Sequence, residues 1–199
     1  RDLVRSRGLG DVYKRQKLDS AIHLLENKAN NNELVTARNQ LQEAINNQPS
    51  TTGMTQDSIN NYNAKKADAQ SAINLANSII NNGDATVQQI SAEKDKVEQA
   101  LQALNSAKND LRADKTELQT AYNTLTEQVS TEGKTPASIK KYQDAKAKIQ
   151  NQINAAQNEA KQILDNSNPT VSQVNNALNN IKAVQPKLDS AIHLSLIHI

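Results

Sequence analysis

Histidine is the side chain in this sequence best suited to binding a metal or moving a proton at neutral pH. Outside the last six residues there are two, His23 and His193, and both lie in the same heptapeptide, KLDSAIH, at 17–23 and 187–193. Neither has a second ligand four residues further on, as a helical metal site requires. We therefore predict a structural or surface role for these histidines and no metal site.

The acidic residues and the short loops give no stronger indication of chemistry. Asp and Glu are scattered over polar faces, so none is expected to be buried as a catalytic acid or base. The loops NNGDAT (81–86) and DNSNPT (165–170) contain oxygen ligands but lack the alternating acidic residues of a calcium loop. They are predicted to be capped turns. With no phosphate-binding glycine loop and no nucleophile motif, we predict no catalytic, cofactor-binding or metal-binding residue and no enzyme activity.

Tyr62 and Tyr142 are the remaining candidates for contact with a partner. Both fall on an apolar stripe with helical spacing. Packing in a core is therefore the favoured prediction for both.

The two ends of the chain are related through the DNA that encodes them. Residues 11–16 read DVYKRQ, which GAT GTG TAT AAG AGA CAG encodes, and the reverse complement of that DNA encodes LSLIHI, residues 194–199. The DNA resembles the transposase end sequence of tagmentation sequencing libraries, and RGLG (7–10) resembles the adapter that precedes it. We predict that 1–16 and 194–199, with His198, are translated adapter and that the biological insert is 17–193.

Removing the adapter changes the charge argument. The chain has a net charge of +2, and the adapter carries five basic and two acidic side chains, so the insert is left at −1. Binding to nucleic acid needs clustered basic residues, which the insert lacks. The insert also has no apolar run of the roughly 20 residues that a membrane span needs. We predict no nucleic-acid partner and no direct insertion in a membrane, and the lack of cysteine excludes disulfides.

The insert repeats internally. TTGMTQDSINNY (51–62) matches TEGKTPASIKKY (131–142) at an offset of 80, and ELVTARNQLQEAI (33–45) matches ELQTAYNTLTEQV (117–129) at an offset of 84. TVQQI (86–90) matches TVSQV (170–174), also at 84. We predict two tandem units, 17–111 and 112–193, with loops of different length.

Each unit is predicted to contain three helices, because apolar residues recur every three or four positions between breaks. Thr55 and Thr135 are predicted N-caps, the latter followed by Pro136. Thr86 with Gln89 and Thr170 with Gln173 have capping-box spacing. Pro186 is expected to kink the last helix or end it near Val184.

The stretch Thr86–Val129 has no Gly and no Pro, and its apolar periodicity continues throughout. We predict that it is one helix shared by both units and that 17–47 is a similar helix weakened by three asparagines. The fold class predicted is therefore all-α, with tandem three-helix bundles joined by shared long helices into an elongated rod.

The KLDSAIH duplication has two interpretations. The copies are 170 residues apart, the length of two units, and the intervening equivalent, QALNSAK (102–108), is much less similar. Either alternate units resemble each other in a longer array, or sequence assembly joined near-identical repeats. Both interpretations imply more repeats in the parent chain.

These motifs together, the TxxSI(N/K)xY helix followed by a break and a TVxQ(V/I)xxA helix, resemble the FIVAR-type three-helix repeats of giant staphylococcal surface proteins. The resemblance covers essentially all of 17–193. It implies a cell-wall or secreted surface location, neighbouring repeats of the same chain as partners, and adhesion to a host extracellular-matrix protein such as fibronectin.

Two other functions remain open from the sequence. FIVAR-type repeats also occur as helical accessory regions of larger surface enzymes. An intracellular coiled-coil scaffold would show long uninterrupted heptads, and the Asn-rich loops argue against that class.

Overall fold

The computed structural model describes residues 2–197, and its side chains from 4 to 196. Within these residues, seven α-helices follow one another: α1 Asp2–His23, α2 Asn32–Asn46, α3 Gln56–Asn81, α4 Val87–Asn109, α5 Thr116–Thr126, α6 Pro136–Asp165 and α7 Val171–Ile192. A π-helical turn, His193–Ile197, follows α7. The described residues form no β-strand, only one isolated antiparallel bridge between Met54 and Ala113. The all-α prediction is confirmed.

The chain forms two compact units, and it passes from one to the other after Asn47, within α3 and within α4. The first unit contains the chain up to Asn47 together with Lys66–Ala103, and the second contains Gln48–Lys65 together with the chain from Leu104 onward. These units and the sequence repeats divide the chain differently. The units 17–111 and 112–193 therefore remain a prediction about the repeats.

In the first unit, one face of each of α2, α3 and α4 is buried. Because the apolar residues recur with helical spacing, each helix presents them on a single stripe. The buried residues include Leu34, Ala37, Leu41 and Ile45 on α2, Ala69, Ile73 and Ala76 on α3, and Ile90 and Val97 on α4.

In the second unit, α5, α6, α7 and the π-helical turn surround one hydrophobic cluster. Its buried members include Leu118, Leu125, Tyr142, Ile153, Ala160, Val174, Leu178, Ile181 and Leu188. Ser195 and Leu196, which belong to the predicted adapter, are also buried, and Lys134 Nζ donates to the Leu196 carbonyl at 2.7 Å. His198 and Ile199 lie outside the described residues.

The predicted helix starts are confirmed. Thr55 Oγ1 accepts the Ser58 N–H, and Thr135 Oγ1 accepts the Ser138 N–H ahead of Pro136. Thr170 and Gln173 form a reciprocal capping box. Its counterpart is also present, since the Thr86 N–H donates to Gln89 Oε1 and the Gln89 N–H donates to Thr86 Oγ1.

The prediction of one helix over Thr86–Val129 is wrong. Helix α4 ends at Asn109 and α5 begins at Thr116, because the intervening backbone bonds elsewhere. Asp114 Oδ1 accepts the Thr116 N–H at 2.9 Å. Such a local side-chain bond competes with helical pairing. The expectation of an elongated rod rested on this helix.

The related prediction for 17–47 is also wrong, since α1 ends at His23 and α2 begins at Asn32. Asn30 Oδ1 accepts the Asn32 N–H at 2.9 Å, the same device as at Asp114. Of the two outcomes expected at Pro186, an end near Val184 is wrong, because α7 continues past Pro186 to Ile192. A kink there stays a prediction. Leu188 and Ala191 are buried beyond the proline, which favours continuation over the cost of about 3 kcal/mol for an interior proline.

The many Gln and Asn residues are used on exposed helix faces. In five places a Gln side-chain amide donates to an Asn oxygen four residues later, at 2.8–3.2 Å: Gln42–Asn46, Gln56–Asn60, Gln70–Asn74, Gln119–Asn123 and Gln150–Asn154. Residues four apart on a helix are neighbours, and each such pair adds about 0.2–0.5 kcal/mol. The composition therefore supports helix rather than disorder.

Candidate interaction surfaces

The residues singled out for chemistry are two histidines, two loops and two tyrosines. His23 and His193 are both exposed. Within 2–197, no group of three or more His, Cys, Asp or Glu side chains is placed to hold a metal ion. None of the described helices has the length and hydrophobicity to cross a membrane. The prediction that no residue is catalytic or ligand-binding stays a prediction.

The two loops considered for calcium form capped turns, as predicted. Asn82 Oδ1 accepts the Asp84 N–H at 3.0 Å, and Asn166 Oδ1 accepts the Asn168 N–H at 2.9 Å. An Asx side chain that bonds the backbone two residues on is a common turn device. Each loop therefore follows the end of one helix and contains the N-cap residue of the next, Thr86 or Thr170.

Tyr62 and Tyr142 are buried, as predicted, with exposed fractions of 1% and 6%. Burial raises the pKa of both phenols, because desolvation disfavours the charged phenolate. Neither side chain offers a surface for a partner.

The expectation that every acidic residue lies on a polar face is wrong for Glu93. Its side chain is buried on α4, with 6% exposed, and Oε1 has no hydrogen-bond partner. Counting 84 residues on, the equivalent position holds Ala177, which is fully buried. The sequence indicated this burial, because Glu93 lies three residues after Ile90, a buried apolar residue of α4, and therefore shares its face of the helix.

Among the described residues, few ion pairs join different helices, and their carboxylates are exposed. Lys94 Nζ lies 3.1 Å from Glu33 Oε2 and 3.7 Å from Glu98 Oε1. These carboxylates raise the pKa of Lys94, with the hydrogen bond to Glu33 as the first cause. Lys182 Nζ lies 2.9 Å from Glu117 Oε1. Exposed pairs of this kind contribute little stability, and they form no single-sign patch that would attract a charged ligand.

A further feature of the second compact unit is a junction between a loop and the segment that follows α4. The loop 51–55 pairs with the segment 110–115 as a short antiparallel bridge. The Thr55 N–H donates to the Arg112 carbonyl at 2.7 Å, and the Asp114 N–H donates to the Gly53 carbonyl at 2.8 Å. We call this arrangement the loop–linker joint, with 51–55 as its loop and 110–115 as its linker.

Side chains reinforce the joint. Ser58 Oγ accepts the Arg112 N–H at 3.3 Å. Lys115 Nζ reaches the carbonyls of Leu164 and Asn166 at 3.0 and 2.9 Å. Gly53, with φ of +78°, lies against Val171, the first residue of α7. The joint thus ties one loop to the segment that follows α4 and to the start of α7.

Tandem helical repeats with recurring caps, loops and linkers define a class of repeat protein, and the repeat in this chain is a known one. The FIVAR domain matches residues 37–112 and again residues 121–189. These matches cover more than half of the chain. The chain therefore belongs to the FIVAR-domain family, and the resemblance seen in the sequence is confirmed.

Relatives carry names that refer to matrix binding. The extracellular matrix-binding protein EbhB of Staphylococcus aureus strain N315 is 47% identical over 177 residues, which are 89% of this chain and 5% of that protein. The extracellular matrix-binding protein ebh of strain NCTC 8325 / PS 47 has the same identity over the same length, which is 2% of it. The chain thus spans a few per cent of the length of these relatives.

A solved structure is also similar in sequence. It is described as a characterization of adherence to fibronectin by Staphylococcus epidermidis, mediated by the extracellular matrix binding protein Embp. Its identity to this chain is 27%, and the match covers 82% of this chain and 98% of that one. The TM-score is 0.33, which is too low to support a comparison of the folds.

Proposed function

We propose that residues 17–193 are a non-catalytic repeat segment of a bacterial cell-surface adhesin, serving as a structural spacer and contributing to adhesion to an extracellular-matrix protein. The observation that carries this proposal is the 47% identity over 177 residues to proteins named for matrix binding. That aligned length equals the length of 17–193, which supports those boundaries for the biological part of the chain. A location at the cell wall follows as part of the same proposal.

The surface of the chain favours weak binding by each repeat. The exposed faces are covered with Gln–Asn pairs and isolated ion pairs. Tight interfaces instead centre on buried aromatic or arginine anchors, whereas Tyr62 and Tyr142 are already buried in the chain. Many weakly binding copies on one parent chain would gain avidity through their high effective concentration.

The test is binding of the full chain to immobilised fibronectin, measured by surface plasmon resonance up to about 100 μM. The predicted adapter carries five basic and two acidic side chains, and an excess of positive charge favours non-specific binding to anionic surfaces. The matched control therefore replaces Arg5, Arg7 and Arg15 by Gln. An unrelated three-helix bundle serves as the second control.

Saturable binding that the variant with Arg5, Arg7 and Arg15 replaced retains, and that exceeds the unrelated bundle, would support adhesion by the repeats. Binding that disappears with the three arginines would assign it to the adapter and contradict the adhesive part of the proposal. If neither form binds saturably, the spacer role stands alone for this segment.

A further inference from the structure

The loop–linker joint has two half-copies elsewhere in the chain. The first half-copy is a second linker, 28–31, which is the counterpart of 112–115 at an offset of 84. Asn30 Oδ1 accepts the Asn32 N–H, as Asp114 Oδ1 accepts the Thr116 N–H, both at 2.9 Å. Asn31 Nδ2 donates to the Ile80 carbonyl at 3.3 Å, and its counterpart Lys115 Nζ donates to the Leu164 carbonyl at 3.0 Å. Both linkers thus have the same local geometry.

The second linker differs because the described residues supply no loop to pair with it. Ala113 is buried in the complete joint, whereas its counterpart Ala29 is only half-buried. A groove of about 360 Å³ lies beside Ala29 and is lined also by Lys28, Gly83 and Val87.

Val87 shows the same difference at the first residue of α4. It belongs to the predicted apolar stripe, yet 66% of it is exposed. Its counterpart Val171 is half-buried and packs on Gly53. Val87 lines the same groove as Ala29, so a loop placed there would cover both side chains.

The second half-copy is a second loop, 131–135, which is the counterpart of 51–55 at an offset of 80. Its turn is the same: the Lys134 N–H donates to the Thr131 carbonyl at 3.1 Å, as the Met54 N–H donates to the Thr51 carbonyl. Gly133 has φ of +72°, close to that of Gly53. Unlike Gly53, Gly133 has no atom within 4 Å of an added Cβ.

We propose that the groove beside Ala29 and Val87 binds a loop of the preceding FIVAR repeat. That loop is the equivalent of 131–135, and it pairs with the linker 28–31 as the loop 51–55 pairs with 110–115. The complete joint within the chain shows how the two halves fit. KLDSAIH precedes the open linker at 17–23 and stands at the end of the open loop's repeat at 187–193. The proposal therefore joins the residues from Leu24 onward to His193.

This inference is independent of matrix binding, because it concerns how repeats hold one another. Pairing needs backbone N–H and carbonyl groups from both segments and a glycine at the closest approach. The pairing therefore tolerates different side chains at equivalent positions, such as Arg112 and Lys28 in the two linkers and Met54 and Lys134 in the two loops. Covalent continuity supplies the effective concentration that a short bridge requires.

The test uses an extended chain in which residues 24–109 are repeated after His193 in place of 194–199. Met54 and Ala113 lie opposite each other in the complete joint, between its two backbone hydrogen bonds. The Cα atoms of such a pair are close enough for two cysteines to form a disulfide. The chain has no cysteine, so engineered pairs are free of competing thiols. Lys134→Cys is combined with Ala29→Cys in the appended copy, and oxidised glutathione is added.

Met54→Cys with Ala113→Cys in the same extended chain is the positive control. Lys134→Cys with Asn30→Cys in the appended copy shifts the pairing by one residue and is the negative control. We expect the test pair to form its disulfide within about twofold of the positive control's rate and at least about tenfold faster than the shifted pair. Val87→Asp in the appended copy is expected to slow the test pair.

A test pair that cross-links no faster than the shifted pair, while the positive control cross-links, would overturn the proposal. A test pair that is unaffected by Val87→Asp would overturn the part assigned to Val87. Each disulfide is read by mass spectrometry on the intact chain.

Discussion

Gly53 approaches Val171 so closely that a Cβ on residue 53 would lie 2.7 Å from Val171 Cγ1. Residue 53 also has φ of +78°, a backbone conformation that residues other than glycine rarely adopt. Two separate requirements therefore select glycine here, one from the backbone and one from the neighbour. At Gly133 only the backbone requirement is present, since φ is +72° and the space beside it is open.

The first prediction separates these two requirements. Gly133→Ala is expected to cost about 1–2 kcal/mol of unfolding free energy from the left-handed backbone alone. Gly53→Ala should cost more, because the methyl group also meets Val171. Urea unfolding of both variants measures the difference. Adding Val171→Ala should recover part of the Gly53→Ala loss, and equal costs for the two glycine variants would contradict the contact.

The second prediction concerns Asp114, whose side chain accepts the N–H of Thr116, the first residue of α5. Hydrogen bonds from Thr116 hold its pKa below the ordinary value of 3.8. A carboxyl with a lowered folded-state pKa contributes stability that is present above its unfolded pKa and is lost as pH falls through the folded pKa.

Asp114→Asn keeps the acceptor oxygen, as Asn30 does in the other linker, but cannot titrate. We expect the original chain to lose more stability than this variant below about pH 4, and both to respond alike at neutral pH. Thermal melting of the two chains over that range measures the difference. A parallel loss in both would show that Asp114 does not contribute to the acid response.

The third prediction concerns the buried carboxyl of Glu93. An unpaired buried polar group costs about 1–3 kcal/mol, and the equivalent position in the other repeat is Ala177. Glu93→Ala should therefore raise the unfolding free energy in urea. Glu43→Ala is the matched control on an exposed site, for which little change is expected. Destabilisation by Glu93→Ala would mean that the carboxyl has a partner in solution.

The fourth prediction follows from the two buried tyrosines. Burial raises the folded-state pKa of Tyr62 and Tyr142 above 10.0. Their contribution is therefore complete below the unfolded pKa and is lost as pH rises through the higher folded pKa. The double variant Tyr62→Phe with Tyr142→Phe should lose less stability than the original chain between about pH 9 and pH 12. Melting temperatures across that range provide the comparison, and identical slopes would contradict the burial.

The helix starts after Thr55, Thr86, Thr135 and Thr170 could be predicted from the sequence because local residues determine them. Thr170 and Gln173 form their capping box within one turn, and Tyr62 and Tyr142 follow the apolar period into the core. Signals of this kind need no knowledge of the rest of the fold.

The breaks at 110–115 and 24–31 were harder to predict, because neither contains Gly or Pro. At 110–115, helix formation loses to bonds made by distant residues, such as that from the Thr55 N–H to the Arg112 carbonyl. One local signal was present, since Asp114 and Asn30 occupy the same position in the two repeats and both accept an N–H two residues later. The close approach of Gly53 to Val171 spans more than a hundred residues and has no local signature.

The pairing of loop and linker is the claim on which the account of the repeats depends. The most direct measurement is amide hydrogen exchange at Thr55 and Thr135 in the unaltered chain, expressed as protection factors. Thr55 donates to Arg112, whereas no such bond joins Thr135 to the residues described after His193. We predict protection at least about tenfold greater at Thr55. Equal protection at the two threonines would contradict the joint.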